Sequence, residues 1–145
     1  MKTIVVGTDG SDSSMGAVRQ ASELAAKTGA TLHIACVVKL AKDIAINMMA
    51  PVPTPDGYDD EVVAGAKAAV DKAAEIARGA GATVETHVLE DEAAHGLMTL
   101  CDNVNADILV VGSRGMTGAA RFFLGSVPNR CAHHANCSVL IVRTD

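Results

Sequence analysis

An open, mostly parallel β-sheet with helices on both faces is the fold this chain predicts, and three observations predict it. Short β-branched runs alternate with stretches of helical apolar spacing, in the order β-α-β-α-β-α-β-α-β. The core is aliphatic: 49% of the residues are hydrophobic, only 2% are aromatic, and there is no Trp. The first and fourth apolar runs both end in glycine and a polar turn, Val5-Val6-Gly7-Thr8-Asp9-Gly10-Ser11 and Val110-Val111-Gly112-Ser113-Arg114-Gly115. If those two strands are neighbours, their C-terminal ends flank the switch point where open α/β sheets take ligands. At 145 residues the chain is one domain long, able to bury roughly two thirds of its unfolded surface.

Lys2 to Gly7 is a β-branched run of the kind buried on both faces of a parallel sheet. Thr8 to Ser13 is a turn crowded with helix-capping side chains. Ala17, Val18, Ala21, Leu24 and Ala25 then recur at helical spacing until Thr28-Gly29 stops the helix. Thr31 to Val38 is the second strand. From Leu40 to Tyr58 the pattern dissolves: Pro51, Pro53 and Pro55 forbid continuous helix, while Ile44, Ile46, Met48 and Met49 make the segment too apolar for a plain linker. It reads as an excursion that packs on something.

A helix returns with Val62, Val63, Ala66, Ala69, Val70, Ala73, Ile76 and Ala77 and ends at Gly79-Ala80-Gly81. Ala82 to Leu89 sets Val84, Thr86 and Val88 against Glu85 and His87, a strand with one wetter side and so near an edge. Ala93, Leu97, Leu100, Cys101 and Val104 mark the third helix and Asp107 to Val111 the fourth strand. The last helix runs from Ser126 to about Ala135, and the last strand is Ser138 to Arg143.

Charge and composition exclude several functions. The net charge is −5, and the 12 Lys and Arg are scattered, which argues against nucleic acid and against an anionic membrane surface. The scarcity of aromatics removes base-stacking platforms. The N-terminus passes from one charge through a short apolar run to Asp9, which is no signal peptide, and no stretch of about 18 apolar residues spans a bilayer. Cys36, Cys101, Cys131 and Cys137 contain no CxxC pair and read as reduced thiols; a cytoplasmic protein is expected.

The sharpest chemical signal is Gly112-x-x-Gly115, nine residues, then Gly125-Ser126. A GxxG alone arises by chance among 13 glycines and reads equally as two ordinary turns. Its placement points to phosphate: the first pair follows a buried strand, and Gly125-Ser126 sits where a helix starts and free N–H groups carry partial positive charge. Pro128 suits that first turn, and Ser126 is either the N-cap or a hydroxyl for a phosphate oxygen. Arg114 and Arg121 are present, but no Lys falls between Gly112 and Arg130, so this is not the GxxxxGK[ST] loop, and rapid phosphoryl transfer is disfavoured.

The three motifs together, the glycine spacing, the opening V-V-G-T-D-G-S and the closing H-A-x-C-x-V-L-I-V, resemble the universal stress protein family in its nucleotide-binding branch, over Lys2 to Thr144. The resemblance implies a Rossmann-like five-stranded parallel sheet of order 3-2-1-4-5 and a homodimer paired through the last strand. It implies ATP, with or without Mg, in the cleft between strands one and four. Asp9 would meet the adenosine side, Val37 would line the adenine pocket and Gly112 would lie under the ribose and phosphates. Gly115, Gly125, Ser126 and Val127 would wrap the phosphates; Thr8 and Arg114 complete the candidate set. The chain departs from the family pattern at Leu89 to Ala94, where a glycine-proline turn is usual, and at Asn136 and Ser138, where prolines are usual.

The implied function is an ATP-binding regulatory protein of the stress response, whose nucleotide state acts on a protein partner still to be identified. A slow ATP hydrolase in the same cleft and a nucleotide-free dimerisation scaffold are the alternatives. A flavin site lacks its aromatic sandwich. Asp9 has a second reading as a turn stabiliser. Cys131, His133, His134 and Cys137 fit no common zinc spacing. His33 and His87 read as wall residues and His95 as solvent-facing; none has a nucleophile placed beside it, so no catalytic residue is assigned.

Overall fold

The structure, a computed structural model, describes residues 1–41, 56–114 and 124–144. Its elements are β1 (Thr3–Gly7), α1 (Asp12–Thr28), β2 (Thr31–Val38), α2 (Tyr58–Gly79), β3 (Thr83–Glu90), α3 (Ala93–Val104), β4 (Ile108–Gly112), α4 (Ser126–His134) and β5 (Ser138–Val142). The strands form one sheet of order β3-β2-β1-β4-β5, all pairs parallel. β1 and β4 are neighbours, with Val5 opposite Leu109 and Val6 opposite Val110. The chain therefore reverses direction of travel across the sheet between them, and their glycine turns lie side by side.

Side-chain alternation along the strands divides the core in two. Ile4, Val6, Leu32, Ile34 and Val110 face α1 and α2, whose small residues Ala17, Ala21, Ala66, Ala73 and Ala77 let the helices lie close. Val5, Ala35, Leu109 and Val111 face α3 and α4 through Ala94, Leu97, Leu100 and Cys131. β1 is buried on both faces, as a central parallel strand must be, whereas β3 is an edge strand with Thr83 and Glu85 exposed.

The helices begin where their caps dictate. α1 starts at Asp12, upstream of its apolar stripe, because Ser11 accepts the Ser14 N–H at 3.2 Å as N-cap. It ends at Gly29, whose φ of 74° is the left-handed conformation glycine adopts freely. α2 begins four residues before Val62, with Asp59, Asp60 and Glu61 in the first turn, where acidic charge opposes the helix dipole. Of the excursion, Leu40 and Ala41 are buried, and the Ala41 N–H donates to Asp59 Oδ1 at 2.8 Å; 42–55 lie outside the described residues. Among the described residues no helix is long and apolar enough to cross a membrane.

Candidate functional site

A cavity of about 300 Å³ opens at the C-terminal ends of β1 and β4, the place the topology reserves for a ligand. Its walls include Thr8, Asp9, Val37, Gly112, Arg114, Gly125, Ser126 and Val127, eight residues singled out from the sequence. Gly115 and Arg121 lie outside the described residues.

The β1 side is a turn held by its own side chains. The Thr8 N–H donates to the Ala35 carbonyl at 2.9 Å, extending the β1–β2 ladder one residue beyond the strand. The buried Thr8 hydroxyl is 2.8 Å from the Ser14 hydroxyl and accepts from the Gly10 N–H at 3.2 Å. The Ser14 hydroxyl donates to the Ser11 carbonyl at 2.9 Å, so the Thr8 hydroxyl proton goes to Ser14, and Thr8 lines the cavity wall. Asp9 Oδ1 accepts from the Ser11 N–H at 2.9 Å and from the Ser11 hydroxyl, an Asx turn leading into the N-cap. The turn-stabilising reading of Asp9 therefore describes what it does here, while its exposed side chain also borders the cavity.

The β4 side is tied down from two directions. The Ser113 N–H donates to the Val142 carbonyl at 2.8 Å, and the Ser113 hydroxyl accepts from the Thr144 N–H at 3.2 Å. The Ser113 carbonyl in turn accepts from the Gly125 N–H at 2.9 Å, which fixes the start of α4 against the end of β4. Glycine at 125 eases this approach, since a Cβ there would stand a tight 3.3 Å from that carbonyl oxygen. Gly125, not Ser126, is the N-cap of α4, with φ −61° and ψ 162° and no side-chain cap bond. The close backbone contact takes the cap position, which moves Ser126 into the first helical turn. Among the described residues the N–H groups of Ser126 and Val127 have no partner, and Pro128 has none to offer. Ser126 and Val127, which carry these two amides at the positive end of the helix, both line the cavity.

The remaining wall comes from α3, which sequence reasoning treated only as core. Ala93 and Leu97 line the cavity together with Ala35 and Val111, making its interior apolar. α3 comes this close because Gly96 sits on Val37, where a Cβ would be 2.8 Å from Val37 Cγ1. The acidic stretch before α3 also finds its place. Glu92 caps the helix by accepting from the Ala94 N–H at 3.3 Å and the His95 N–H at 3.1 Å, and it meets Arg130 of α4 at 2.6 Å. Asp91 accepts from the Glu92 N–H at 2.7 Å and pairs with His95 Nδ1 at 2.7 Å; the hydrogen bond to His95 is the main cause holding its carboxyl below the usual range.

The cysteines take no part in the cavity wall. Cys36, Cys101 and Cys131 are buried free thiols; burial, then the Glu92 carboxylate, pushes Cys131 up to about 11, and burial also raises Cys36 and Cys101. Cys131 is buried while His133 and His134 are exposed, and among the described residues the Cys/His run does not bring three ligand atoms together.

The universal stress protein family model matches residues 1–143. Universal stress protein Rv1636 of Mycobacterium tuberculosis is 35% identical over 144 residues, 99% of this chain and 97% of that one. Among solved structures, a universal stress protein in complex with cAMP superposes with a TM-score of 0.76 at 35% identity, covering 99% of this chain and 98% of the other. The universal stress protein of Archaeoglobus fulgidus in complex with dAMP does so with a TM-score of 0.71 at 28% identity, covering 97% of each chain.

Proposed function

The chain belongs to the universal stress protein family, and from that premise we propose that it is an ATP-binding regulatory protein, a homodimer whose nucleotide state acts as a switch on a partner. The observation that carries the reading is the cavity between the β1 and β4 turns, apolar along Ala35, Val37 and Leu97 and bounded by the Ser126 and Val127 amides. Adenine fits the apolar part. The phosphates belong at the α4 N-terminus, which contributes roughly 0.3–2 kcal/mol toward an anion, in a cavity that Arg114 also lines. Nothing in Gly112 to Arg130 supplies the lysine of a fast phosphoryl-transfer loop, which favours holding the nucleotide over consuming it. Three buried free thiols fit a reducing compartment such as the cytoplasm.

A second reading, a nucleoside monophosphate or cyclic nucleotide, draws on the relatives solved with cAMP and dAMP and on a cavity at the small end of ligand pockets. Isothermal titration with Mg-ATP, AMP and cAMP separates the two: Mg-ATP is expected to bind in the micromolar range, one per chain, and more tightly than either monophosphate. Absence of heat at millimolar Mg-ATP overturns the ATP reading, and preference for cAMP or AMP installs the other. Ser126→Leu and Gly115→Val are each expected to abolish binding with an unchanged circular dichroism spectrum; binding that survives both places the phosphates elsewhere.

A further inference from the structure

β2 and β3 carry a polar cluster that nucleotide binding does not use. In their parallel register His33 stands opposite Glu85, and Ala35 opposite His87. Alternation puts His33, Glu85 and His87 on one face of the sheet, the face that α3 and α4 cover elsewhere. α3 packs over β1, β2 and β4, so among the described residues no helix covers the N-terminal half of the edge strand on that side. His33 is buried there at 7% exposure, while the Glu85 side chain is 61% exposed.

His33 Nδ1 lies 2.9 Å from His87 Nε2 and 3.2 Å from Glu85 Oε2, and the two imidazoles stack with centroids 5.2 Å apart. One ligand atom from each of the three residues falls within 4.8 Å of the other two. An imidazole nitrogen has a single in-plane direction for a proton or a lone pair, yet a second imidazole and a carboxylate both converge on this one. A cation among them satisfies three lone pairs at once. Tetrahedral Zn²⁺, with bonds near 2.0–2.1 Å, sets its donors about 3.3 Å apart, close to the separations found here.

We propose that His33, Glu85 and His87 form a binding site for a divalent first-row transition cation, with a fourth coordination position open to water. Two imidazoles and one carboxylate favour Zn²⁺, Ni²⁺ or Cu²⁺ over Mg²⁺ or Ca²⁺, which prefer oxygen donors. The bound ion fastens the edge strand β3 to β2, and it stabilises the fold by mass action because the unfolded chain does not hold the three ligands together.

The test uses untagged, chelator-treated protein without nucleotide, since nucleotide phosphates also bind metal. Zn²⁺ titrated against a chromogenic chelator is expected to bind one per chain and to raise the melting temperature. His87→Ala and Glu85→Gln, both at the accessible edge, are expected to weaken binding about tenfold or more, whereas the double variant His133→Ala/His134→Ala binds as the parent does. Co²⁺ in place of Zn²⁺ is expected to give visible bands without a sulfur-to-metal charge-transfer band. Failure of stoichiometric binding, parent-like affinity in both His87→Ala and Glu85→Gln, or a thiolate band overturns the proposal; a thiolate band would move the metal to the cysteines. Parent-like affinity would leave a hydrogen bond from His33 Nδ1 to one of its two neighbours as the reason for the cluster.

Discussion

Glu92 does at one position what two residues usually share, capping α3 and linking it to α4. Partial burial works to raise its pKa, but the N–H groups of His95 and Ala94 and the Arg130 guanidinium outweigh it and hold the carboxyl below its usual 4.5. A depressed folded pKa contributes stability that is present above the unfolded value and lost as pH falls through the lower folded one. Glu92→Ala is therefore expected to cost about 0.5–1 kcal/mol at neutral pH. The low end of the capping range applies because the side chain is 38% exposed and its ion pair is screened by water. In acid the gap to the parent narrows as the carboxyl of the parent protonates. Urea unfolding at neutral pH and in the acid range checks both parts; a gap that stays constant into acid would show that the cost does not come from the ionised carboxylate.

At the scale of elements, the position of α3 decides the shape of the cavity, and the Gly96–Val37 contact decides the position of α3. An alanine Cβ at 96 would stand 2.8 and 3.1 Å from the two methyls of Val37 and 3.2 Å from Asp91 Cβ. Valine is stiff at χ1 and cannot swing aside. Overpacking costs about 1–3 kcal/mol, set against about 1 kcal/mol gained in helix propensity. Gly96→Ala is expected to lose about 1 kcal/mol net. Val37→Ala in the same chain removes the clash, so the two costs should fail to add, a coupling that a double-mutant cycle by chemical denaturation measures. Additive costs would show that α3 shifts instead of clashing.

The same contact explains what the sequence could reveal. The nine elements described above were legible, because β-branched runs and helical spacing follow from backbone period. The β1 and β4 turns were legible because glycine directly after a buried strand marks a backbone that turns sharply or meets a neighbour at close range. The contribution of Ala93 and Leu97 was not, since an apolar residue at helical spacing looks alike whether it covers core or cavity. The His33–His87 meeting, 54 residues apart, depends on strand order and register together, and neither residue carries a local sign of the other.

For the molecule as a whole the open question at the sheet's far edge is what pairs with β5. Among the described residues no strand pairs with the outer edge of β5, Val139, Leu140 and Ile141 remain partly exposed there, and an open apolar edge invites a second strand. The Val142 carbonyl accepts from Ser113 on the β4 side, and hydrogen-bonding direction alternates along a strand, so Val139 and Ile141 turn their N–H and C=O groups outward. With serine and asparagine flanking Cys137, no proline blocks that edge. The proposed homodimer pairs two copies of this strand. Light scattering after size-exclusion chromatography is expected to give twice the chain mass of 14.8 kDa. Ile141→Pro deletes an outward donor while leaving the β4–β5 ladder its own, and it is expected to yield monomers. Nucleotide binding should survive in that variant, because Ile141 lies outside the cavity wall. A dimer that persists in Ile141→Pro would place the interface on another face, and joint loss of dimer and nucleotide would make the second copy part of the site.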